Sequence, residues 1–385
     1  MSKIAIVAGS VAQRPAAGGH TWVFLQYLLG FRDLGWDVIL LDRLEPEMCF
    51  DEAGRPCALE DSVNLRYLQE VVDGHRLGES FALLYDRGSR CLGMSREKLL
   101  ERGSQSSLML NVNGFIEDEQ LLAQAPLTVF LDIDPGFGQM WRDLGLHDAF
   151  RGHDAYVTIG ENIGEADCEI PTGGIDWLTT PQPVVLDHWP VQTSNRDAIT
   201  SVASWRGPSA PIEYRGKTYG LRVHEFRKFA SLPKKAPASF EIALEIDPAD
   251  QKDIDLLRSN GWKLVDPRAV AQDPRTYQRY VQSSLAEIMI AKNMYVEARS
   301  GWFSDRSICY LASGKPVLAQ DTGFGRRYAT GEGLLSFSTL EEAAGGAEEL
   351  LRDYRRHSQA ARQLAEEYFD SRKVLGRLAS RLGVA

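Results

Sequence analysis

The first part of the chain alternates short apolar runs with amphipathic segments. Lys3–Gly9 is an apolar run ending in glycine, as expected for a strand buried on both faces of a parallel sheet. Thr21–Leu34 repeats its large apolar residues at helical spacing, and Trp36–Leu41 is the next apolar run. Strand, glycine-containing loop, helix, glycine and strand is the order of a βαβ unit. The pattern therefore predicts an α/β fold with a parallel sheet.

The same alternation continues to about residue 160. Further strands are expected at Leu108–Val112, Leu127–Leu131 and Ala155–Ile159, each followed by a loop with Gly, Asn or Asp. Residues 40–100 hold a helical stretch near Leu59–Val72 and a hairpin or insertion. Loops after parallel strands form the functional edge of an α/β sheet, so we expect ligand-binding residues there.

A stretch rich in Pro, Thr, Gly and Gln, residues 171–198, separates this series from a second one and predicts a connection without regular structure. Strands of the second series are predicted at Ala198–Ser204, Ser239–Ile246, Trp262–Val265, Met294–Ala298 and Pro316–Ala319. Its helices are predicted at Val223–Ser231, Ala249–Ser259, Thr276–Ser284, Asp305–Ala312 and throughout Leu340–Leu382. We expect two Rossmann-like domains, 1–190 and 191–385, with the last helix a candidate to cross back onto the first.

Composition narrows the class of protein. A chain of 385 residues fits two domains, and 44% hydrophobic with 25% charged residues is typical of a soluble globular protein. The net charge of −10 argues against a surface rich in basic residues for non-specific nucleic-acid binding, but it does not exclude a local basic groove. Five scattered cysteines, no signal-peptide pattern and no long apolar stretch predict a reduced, cytoplasmic chain without a membrane span.

The strongest chemical pattern is the segment Ser300–Ser307, which follows an expected strand and opens a helix. The first turn of a helix offers free N–H groups and a positive dipole end, which suit a diphosphate. Ser304, Arg306 and Ser307 would add side-chain donors. Ser and Asp residues such as Asp305 also cap helices that bind nothing, so a structural role fits the same residues.

The continuation of this segment carries a family resemblance. Ser307–Gly314 followed by Lys315-Pro316-Val317 resembles the donor-binding helix of GT-B glycosyltransferases, with its theme E-A-x-S/A-x-G-x-P-V, and Gln320–Gly323 stands at the sugar end. The glutamate of retaining families is absent near Asp305. The resemblance is clearest over about residues 240–330 and is architectural over 1–200. It points to bacterial and phage glycosyltransferases of the family-1 type.

The resemblance implies a GT-B fold, with two Rossmann-like domains facing across a cleft. It also implies a nucleotide-sugar donor, UDP- or dTDP-linked, as co-substrate of a metal-independent hexosyl transfer with no further cofactor. Inversion is the favoured stereochemistry, because a histidine is available and the retaining glutamate is not. The residues expected to bind the donor are Gly19, Arg206, Val265, Tyr280, Ser300, Gly301, Ser304, Asp305, Arg306, Ser307, Gln320, Asp321, Thr322 and Gly323.

The acceptor side depends on loops of the first domain. His20 follows Gly18-Gly19 near the place where inverting relatives carry their general base, and Asp132 or Asp134 could orient it or replace it. Asn113 and Glu161 are candidates for acceptor contacts. The alternative is a structural role, in which His20 caps its helix and Asp132–Gly138 forms a turn. Asp132-Ile-Asp134 also matches a metal-binding DxD, but the two-domain architecture argues against that role.

Other functions fit the same sequence. A nucleotide-sugar epimerase or hydrolase would use the same fold, and so would a non-catalytic nucleotide- or glycan-binding protein. Glycosylation of a hydroxylated nucleic-acid base is a minor alternative, for which Arg87, Arg90, Arg96 and Arg102 form the only basic cluster. Because fold does not set substrate, the acceptor could be a small molecule, a glycan or a modified nucleic acid.

Overall fold

The computed structural model describes residues 3–207 and 209–385. The strands are β1 (Ile4–Gly9), β2 (Asp37–Leu44), β3 (Phe81–Tyr85), β4 (Arg90–Gly93), β5 (Leu108–Val112), β6 (Thr128–Asp132), β7 (Ala155–Thr158), β8 (Trp177–Thr179), β9 (Ile199–Ser204), β10 (Ile212–Tyr214), β11 (Lys217–Tyr219), β12 (Phe240–Glu245), β13 (Lys263–Val265), β14 (Ala286–Met289), β15 (Val317–Gln320) and β16 (Leu334–Phe337).

The helices are α1 (Gly18–Asp33), α2 (Val63–Gly74), α3 (Arg96–Ser104), α4 (Glu119–Gln124), α5 (Phe137–Asp143), α6 (Arg222–Phe226), α7 (Leu232–Lys235), α8 (Gln251–Ser259), α9 (Pro267–Val270), α10 (Pro274–Ser283), α11 (Asn293–Glu297), α12 (Asp305–Ala312), α13 (Leu340–Arg352), α14 (Tyr354–Leu364) and α15 (Ser371–Arg381). A π-helical turn, Ala365–Phe369, joins α14 to α15. No helix within the described ranges is both long and apolar enough to cross a bilayer.

Two sheets organise the chain. An eight-stranded sheet has the order β4-β3-β2-β1-β5-β6-β7-β8 and is parallel except for the β3–β4 hairpin. A six-stranded parallel sheet has the order β13-β12-β9-β14-β15-β16. We call the part that carries the first sheet the N-terminal half and the part that carries the second the C-terminal half. The short antiparallel pair β10–β11 stands apart from both sheets.

The strand β1 lies at the centre of the first sheet. Val7 is paired with Leu40 on one side and Leu110 on the other, and every residue of β1 is buried. The continuous apolar run of this strand follows from its position, because helices cover both faces of a parallel sheet. The predicted parallel α/β arrangement is confirmed.

Helix α1 is buried almost all round, with apolar residues on every side. One side packs on the sheet, and the opposite side meets α15, which returns from the end of the chain. Gly30 permits this approach, since a Cβ there would lie 2.6 Å from Leu375 Cδ1. Arg381 Nη1 also donates to the Thr179 carbonyl, at 2.6 Å.

Most predicted elements are observed within a few residues, and β5 and α12 have the predicted bounds. The strand expected at Met294–Ala298 is wrong, because these residues form α11 and the loop after it. The strand at this place is β14, Ala286–Met289, which the pattern did not single out. A short buried apolar run is equally compatible with one turn of helix and with a strand, so its pattern does not separate the two.

The stretch 171–198 is also more ordered than its composition predicts. Trp177–Thr179 forms β8, which pairs with β7 at the edge of the first sheet. The helix expected at Val223–Ser231 is divided into α6 and a 3-10 turn at Arg227–Phe229. Strands β10, β11 and β16 were not predicted, since each has only three or four residues.

Candidate active site

The loops that follow strands of the two sheets meet each other directly. The backbone N–H of Asn162, after β7, donates to the Ser300 carbonyl at 3.1 Å, and the Asn162 side chain donates to the Gly323 carbonyl at 3.1 Å. At the other end of the contact, the Gly18 N–H donates to the Ala271 carbonyl at 2.8 Å. The functional edges of both sheets therefore border one shared site.

The predicted donor segment Ser300–Ser307 lies inside this contact and is buried. Its backbone is held by the turn after β15, where the Gly301 N–H donates to the Thr322 carbonyl at 2.8 Å and Thr322 Oγ1 donates to the Trp302 carbonyl at 2.6 Å. Gly301 has a φ of +71°, and a Cβ there would lie 2.7 Å from Asn162. The structure thus brings Ser300–Ser307 together with Gln320–Gly323, beneath Asn162.

The turn after β15 is fixed by its own side chains. Gln320 Nε2 donates to Glu225 at 2.6 Å, and its Oε1 accepts the Ala291 N–H at 3.1 Å. Asp321 Oδ1 accepts the Gly323 N–H at 2.8 Å, and Gly323 takes a left-handed φ of +89°. The Gln320 and Asp321 side chains thus hold the turn in shape. The contacts with a sugar that the sequence predicts for this turn stay predictions.

Helix α12 begins with the capping residue Ser304, whose Oγ accepts the Arg306 N–H at 3.2 Å. The Arg306 guanidinium is buried and forms an ion pair with Glu287 of β14, while its Nη1 donates to the Val202 carbonyl at 2.8 Å. Arg306 Nη2 has no hydrogen-bond partner among the described residues, while the Ser307 side chain interacts with the Glu287 carboxylate and opposes the rise that burial causes in the pKa of Glu287. Buried polar atoms are seldom left unpaired, so this position has room for further hydrogen bonds.

Arg222, the first residue of α6, is a candidate anion-binding residue that the sequence analysis did not identify. Its guanidinium forms no hydrogen bond or ion pair within the described ranges. Burial, and next the Arg306 guanidinium, lower its pKa to about 10, while Tyr295, Asp305 and Glu287 act in the opposite direction. A desolvated cation beside a second cation is unfavourable unless an anion balances it. No periodicity marks this residue, and its position after Gly220 was the only available signal.

Asp134, for which a catalytic role is predicted, also connects the two halves. Both of its carboxylate oxygens accept from Lys292 Nζ, at 2.7 and 2.6 Å, and one also accepts from the Tyr295 hydroxyl. Lys292 and Tyr295 belong to the C-terminal half, immediately before and within α11. In this state, Asp134 is the ion-pair partner of Lys292.

Asp132, the other predicted carboxylate, is buried at the end of β6. It accepts from Gln139 Nε2 at 2.6 Å, from Thr158 Oγ1 at 2.8 Å and from the Asp134 N–H at 3.1 Å. Burial raises its pKa to about 6, although the bonds from Thr158 and Gln139 oppose the shift. Its hydrogen bonds join β6 to β7 and α5, so it acts here as an internal acceptor.

His20 lies in the first turn of α1, with Nε2 3.2 Å from the Ser10 carbonyl and 3.0 Å from Ser10 Oγ. A carbonyl only accepts, so Nε2 carries the proton and Nδ1 is the basic nitrogen. Burial, assisted by Arg14, lowers the pKa of His20 to about 4, which leaves the ring neutral at pH 7. No hydrogen bond in the described part of the chain joins His20 to Asp132, so the predicted pairing is not formed.

The glycine pair before His20 serves contact between the halves. A Cβ at Gly18 would lie 2.2 Å from the Asp273 carbonyl oxygen, and one at Gly19 would lie 2.9 Å from the Tyr277 ring. Gly19 is one of the residues that the sequence predicts to bind the donor. The structure shows that the two glycines admit the start of α10.

Three predicted donor residues lie in other contacts. Arg206 forms a two-bond ion pair with Asp250 and is half exposed. Tyr280 donates to Glu241 at 3.0 Å, and Val265 ends the edge strand β13. No hydrogen bond or ion pair within residues 3–207 and 209–385 joins any of them to α12.

The two predicted acceptor residues have structural partners. Asn113 Oδ1 accepts the Ile133 N–H at 3.0 Å, which shapes the turn after β5. Glu161 is 8% exposed and accepts from the Tyr328 hydroxyl of the C-terminal half. Burial raises the pKa of Glu161 to about 7, with Arg327 and Arg377 opposing the shift.

The basic cluster considered for nucleic-acid binding is largely neutralised. Arg90 pairs with Glu60, Arg96 with Asp118 and Arg102 with Asp37, at 2.6, 2.9 and 3.0 Å. In the described part of the chain, no group of three or more His, Cys, Asp or Glu side chains is placed to hold a metal ion.

Comparison with known proteins adds fold-level information. No family model and no curated protein matches the chain. Among solved structures, an alpha-glucosyltransferase in complex with UDP-glucose and DNA containing an abasic site is similar at a TM-score of 0.59 and 12% identity, over 100% of this chain and 99% of that one. Anabaena HepE in complex with UDP-glucose is similar at 0.58 and 11%, over 99% and 100%.

A third similar structure is sucrose-phosphate synthase from Thermosynechococcus elongatus, at a TM-score of 0.55 and 12% identity, over 99% of both chains. All three structures align with nearly the whole of this chain. The GT-B fold predicted from the sequence is confirmed.

Proposed function

We propose that this protein is a glycosyltransferase that moves a sugar from a nucleoside-diphosphate sugar to an acceptor hydroxyl. The observation that carries the proposal is Arg222, a partly buried guanidinium without a hydrogen-bond or ion-pair partner among the described residues, beside Arg306 at the start of α12. Such a site favours an anion with more than one negative charge. The solved neighbours that contain UDP or UDP-glucose make a nucleoside diphosphate the matching anion.

In the proposed reaction, the acceptor oxygen attacks the anomeric carbon of the donor sugar. The bond from that carbon to the diphosphate oxygen breaks, and the nucleoside diphosphate leaves with the electron pair. Arg222 and the free N–H groups at the start of α12 stabilise the charge that develops on the leaving group. The products are the glycoside, the nucleoside diphosphate and one proton.

His20 is the proposed general base, and Nδ1 is the nitrogen that takes the acceptor proton. Its lowered pKa keeps this nitrogen unprotonated throughout the neutral range. Burial also makes this imidazole a weaker base than a solvent-exposed histidine, and no hydrogen bond among the described residues joins it to Asp132 or Asp134. A single base that acts on the acceptor hydroxyl fits a direct displacement with inversion. We also propose that the transfer needs no bound metal, because cationic side chains stand where the diphosphate would leave.

The donor is tested with a thermal-shift panel of UDP-, GDP-, dTDP- and CDP-sugars together with the free nucleotides. We expect UDP or dTDP compounds to raise the melting temperature, since a ligand at 100 times its Kd stabilises the folded state by about 2.7 kcal/mol. If no nucleotide at millimolar concentration shifts the melting temperature, the proposal is wrong. Consumption of the sugar nucleotide without any acceptor would instead indicate a hydrolase.

Replacing Arg222 by Met is the sharpest single test of the site. Loss of a charge-assisted contact to the diphosphate costs about 1.5–3 kcal/mol, so we expect the Kd for UDP to rise roughly 10- to 150-fold. Calorimetric titration with UDP measures the change. The matched control is Arg206→Met, which removes a half-exposed arginine paired with Asp250 and should leave the Kd unchanged. Equal effects of the two substitutions would contradict the assignment.

A further inference from the structure

A third cation at the site, Lys292, is paired with a carboxylate from the opposite half of the molecule. Lys292 Nζ lies 2.7 and 2.6 Å from the two carboxylate oxygens of Asp134, and the Tyr295 hydroxyl donates to the same carboxylate. The Lys292 side chain is only 16% exposed. These are its only hydrogen bonds within the described residues, so Asp134 alone neutralises this lysine.

The position of Lys292 is tied to that of Arg222. The Met294 N–H donates to the Gly220 carbonyl at 3.1 Å, and the Gly220 N–H donates to Asn293 Oδ1 at 2.7 Å. The residues directly after Lys292 are therefore bonded to the residue two positions before Arg222. Both cations stand at the border of the same small region of the C-terminal half.

Tyr295 confirms this proximity. Its hydroxyl donates to Asp134, and burial raises the pKa of this hydroxyl, with the Asp134 carboxylate adding to the rise and the nearby Arg222 guanidinium opposing it. An anion held by Arg222 would consequently lie within electrostatic range of the Asp134 carboxylate. Two negative groups in a desolvated region repel each other, so binding of a diphosphate at Arg222 opposes the present placement of Asp134.

The counterions of Arg306 and Lys292 differ in whether they can leave. Glu287, which neutralises Arg306, is fully buried in β14 of the same half. Asp134 comes from the other half, and its side chain is 35% exposed. Water can solvate the Asp134 carboxylate when its contact with Lys292 opens, whereas the buried Glu287 carboxylate is not accessible to water. Lys292 is thus the cation at this site whose counterion can be exchanged.

We infer that Lys292 is a further donor-binding residue, and that Asp134 is an internal competitor occupying its ammonium group until the donor diphosphate displaces it. This inference rests on the proposed function. It gives Asp134 a role in controlling access of the donor to the site, in place of the catalytic role predicted from the sequence. It also gives the Asp134–Lys292 contact a direct effect on nucleotide affinity. The apparent Kd equals the intrinsic Kd divided by the fraction of molecules in which Asp134 does not occupy Lys292.

The test compares UDP affinity among four proteins by calorimetric titration: the unsubstituted chain, Asp134→Asn, Lys292→Met and the double variant. Asparagine keeps the size of aspartate and a carbonyl that accepts from Tyr295, but it removes the charge that competes. We expect Asp134→Asn to lower the Kd roughly 5- to 10-fold and Lys292→Met to raise it about 10-fold or more. In the double variant the gain from Asp134→Asn should disappear, leaving the affinity of Lys292→Met.

The matched control is Asp143→Asn, which weakens a different contact between the halves. Asp143 accepts from Tyr214 at 2.7 Å and lies 3.7 Å from Arg215. We expect no change in the Kd for UDP in Asp143→Asn. If Asp143→Asn and Asp134→Asn change the Kd equally, the cause is a general loosening of the contact between the halves.

Two outcomes overturn the inference in different ways. If UDP binds and depends on Arg222, but Asp134→Asn has unchanged or weaker affinity, the competitor role is rejected while the proposed function stands. If no nucleotide binds to the unsubstituted chain, the proposed function fails and the inference fails with it. A gain that persists in the double variant would show that Asp134 acts elsewhere than on Lys292.

Discussion

Residues of the same type play different parts in this molecule according to what surrounds them. Arg206 and Arg222 both follow strands of the C-terminal half, yet Arg206 is half exposed and paired with Asp250, whereas Arg222 is partly buried and has no hydrogen-bond or ion-pair partner among the described residues. A surface ion pair contributes little free energy, while an unbalanced desolvated cation creates a demand for an anion. The environment of the side chain therefore identifies the candidate ligand residue.

Substitution of His20 by Ala tests the proposed base. Removal of a general base lowers the rate of the chemical step about 10²- to 10⁴-fold. We expect kcat for sugar transfer to fall by this factor, with the Kd for UDP unchanged because the proposed base acts on the acceptor hydroxyl and not on the nucleotide. The control is His147→Ala, an exposed histidine outside the site, which should retain activity.

The pH profile offers an independent check of the same residue. Because the pKa of His20 is lowered to about 4, its basic form is present at any neutral pH. We therefore expect the ionisation of His20 to cause no change in kcat/KM between about pH 6 and 8. A fall in kcat/KM due to His20 is expected only as the pH approaches the pKa of this residue. A fall of activity centred near pH 6.5 would show that the essential base is another group.

At the scale of elements, regular structure follows from pattern where the segment is long enough to repeat. Helix α12 was predicted with its observed bounds because Ser304 caps it and apolar residues recur along it. Helix α11 was mistaken for a strand because it has one turn, and one turn contains no repeat. Tertiary contacts decide such segments, since the buried positions of Met294 and Tyr295 suit either conformation.

The packing of α15 against α1 gives a prediction about stability. Leu375 is fully buried where α15 approaches Gly30, so Leu375→Ala removes core contacts and leaves a cavity. We expect a loss of about 2–5 kcal/mol in the free energy of unfolding, read from urea denaturation. Leu256→Ala, at a position 36% exposed on α8, should change it by no more than about 0.5 kcal/mol. Similar losses in both variants would show that α15 contributes no core packing.

At the scale of the whole molecule, the two halves touch through polar groups that neither half could satisfy alone. Asn162 donates across the contact to carbonyls after α11 and β15, and Glu161 beside it accepts from Tyr328. Asn162 Oδ1 has no partner among the described residues, so the contact retains unused hydrogen-bonding capacity. Such contacts allow the relative position of the halves to respond to a ligand or to pH.

Glu161 makes that pH response testable. Its pKa is raised from 4.5 to about 7 in the folded protein, so the folded state binds more protons than the unfolded state between these values. The stability due to this group is fully present below pH 4.5 and is lost as the pH rises through about 7. The change amounts to about 1–3 kcal/mol. We expect Glu161→Gln to flatten the decline of the melting temperature between pH 5 and 8.

Glutamine preserves the size of Glu161 and a carbonyl that accepts from Tyr328, so the substitution isolates titration from packing. Glu165→Gln is the control, because this nearby carboxylate is 45% exposed and pairs with Arg327 at the surface. If Glu161→Gln declines with pH as steeply as the unsubstituted chain, the pH response belongs to another group.

The sequence by itself determined the fold class, most of the parallel strands, helix α12 and the resemblance that predicts an anion site at the start of that helix. These features depend on local repeats, caps and glycines, which interact with near neighbours in the chain. The tertiary structure decided which charged residues are free and which are neutralised. Arg222, Lys292 and Asp134 are far apart in sequence, and their pairing depends on how two halves approach each other. Periodicity carries no information about that distance.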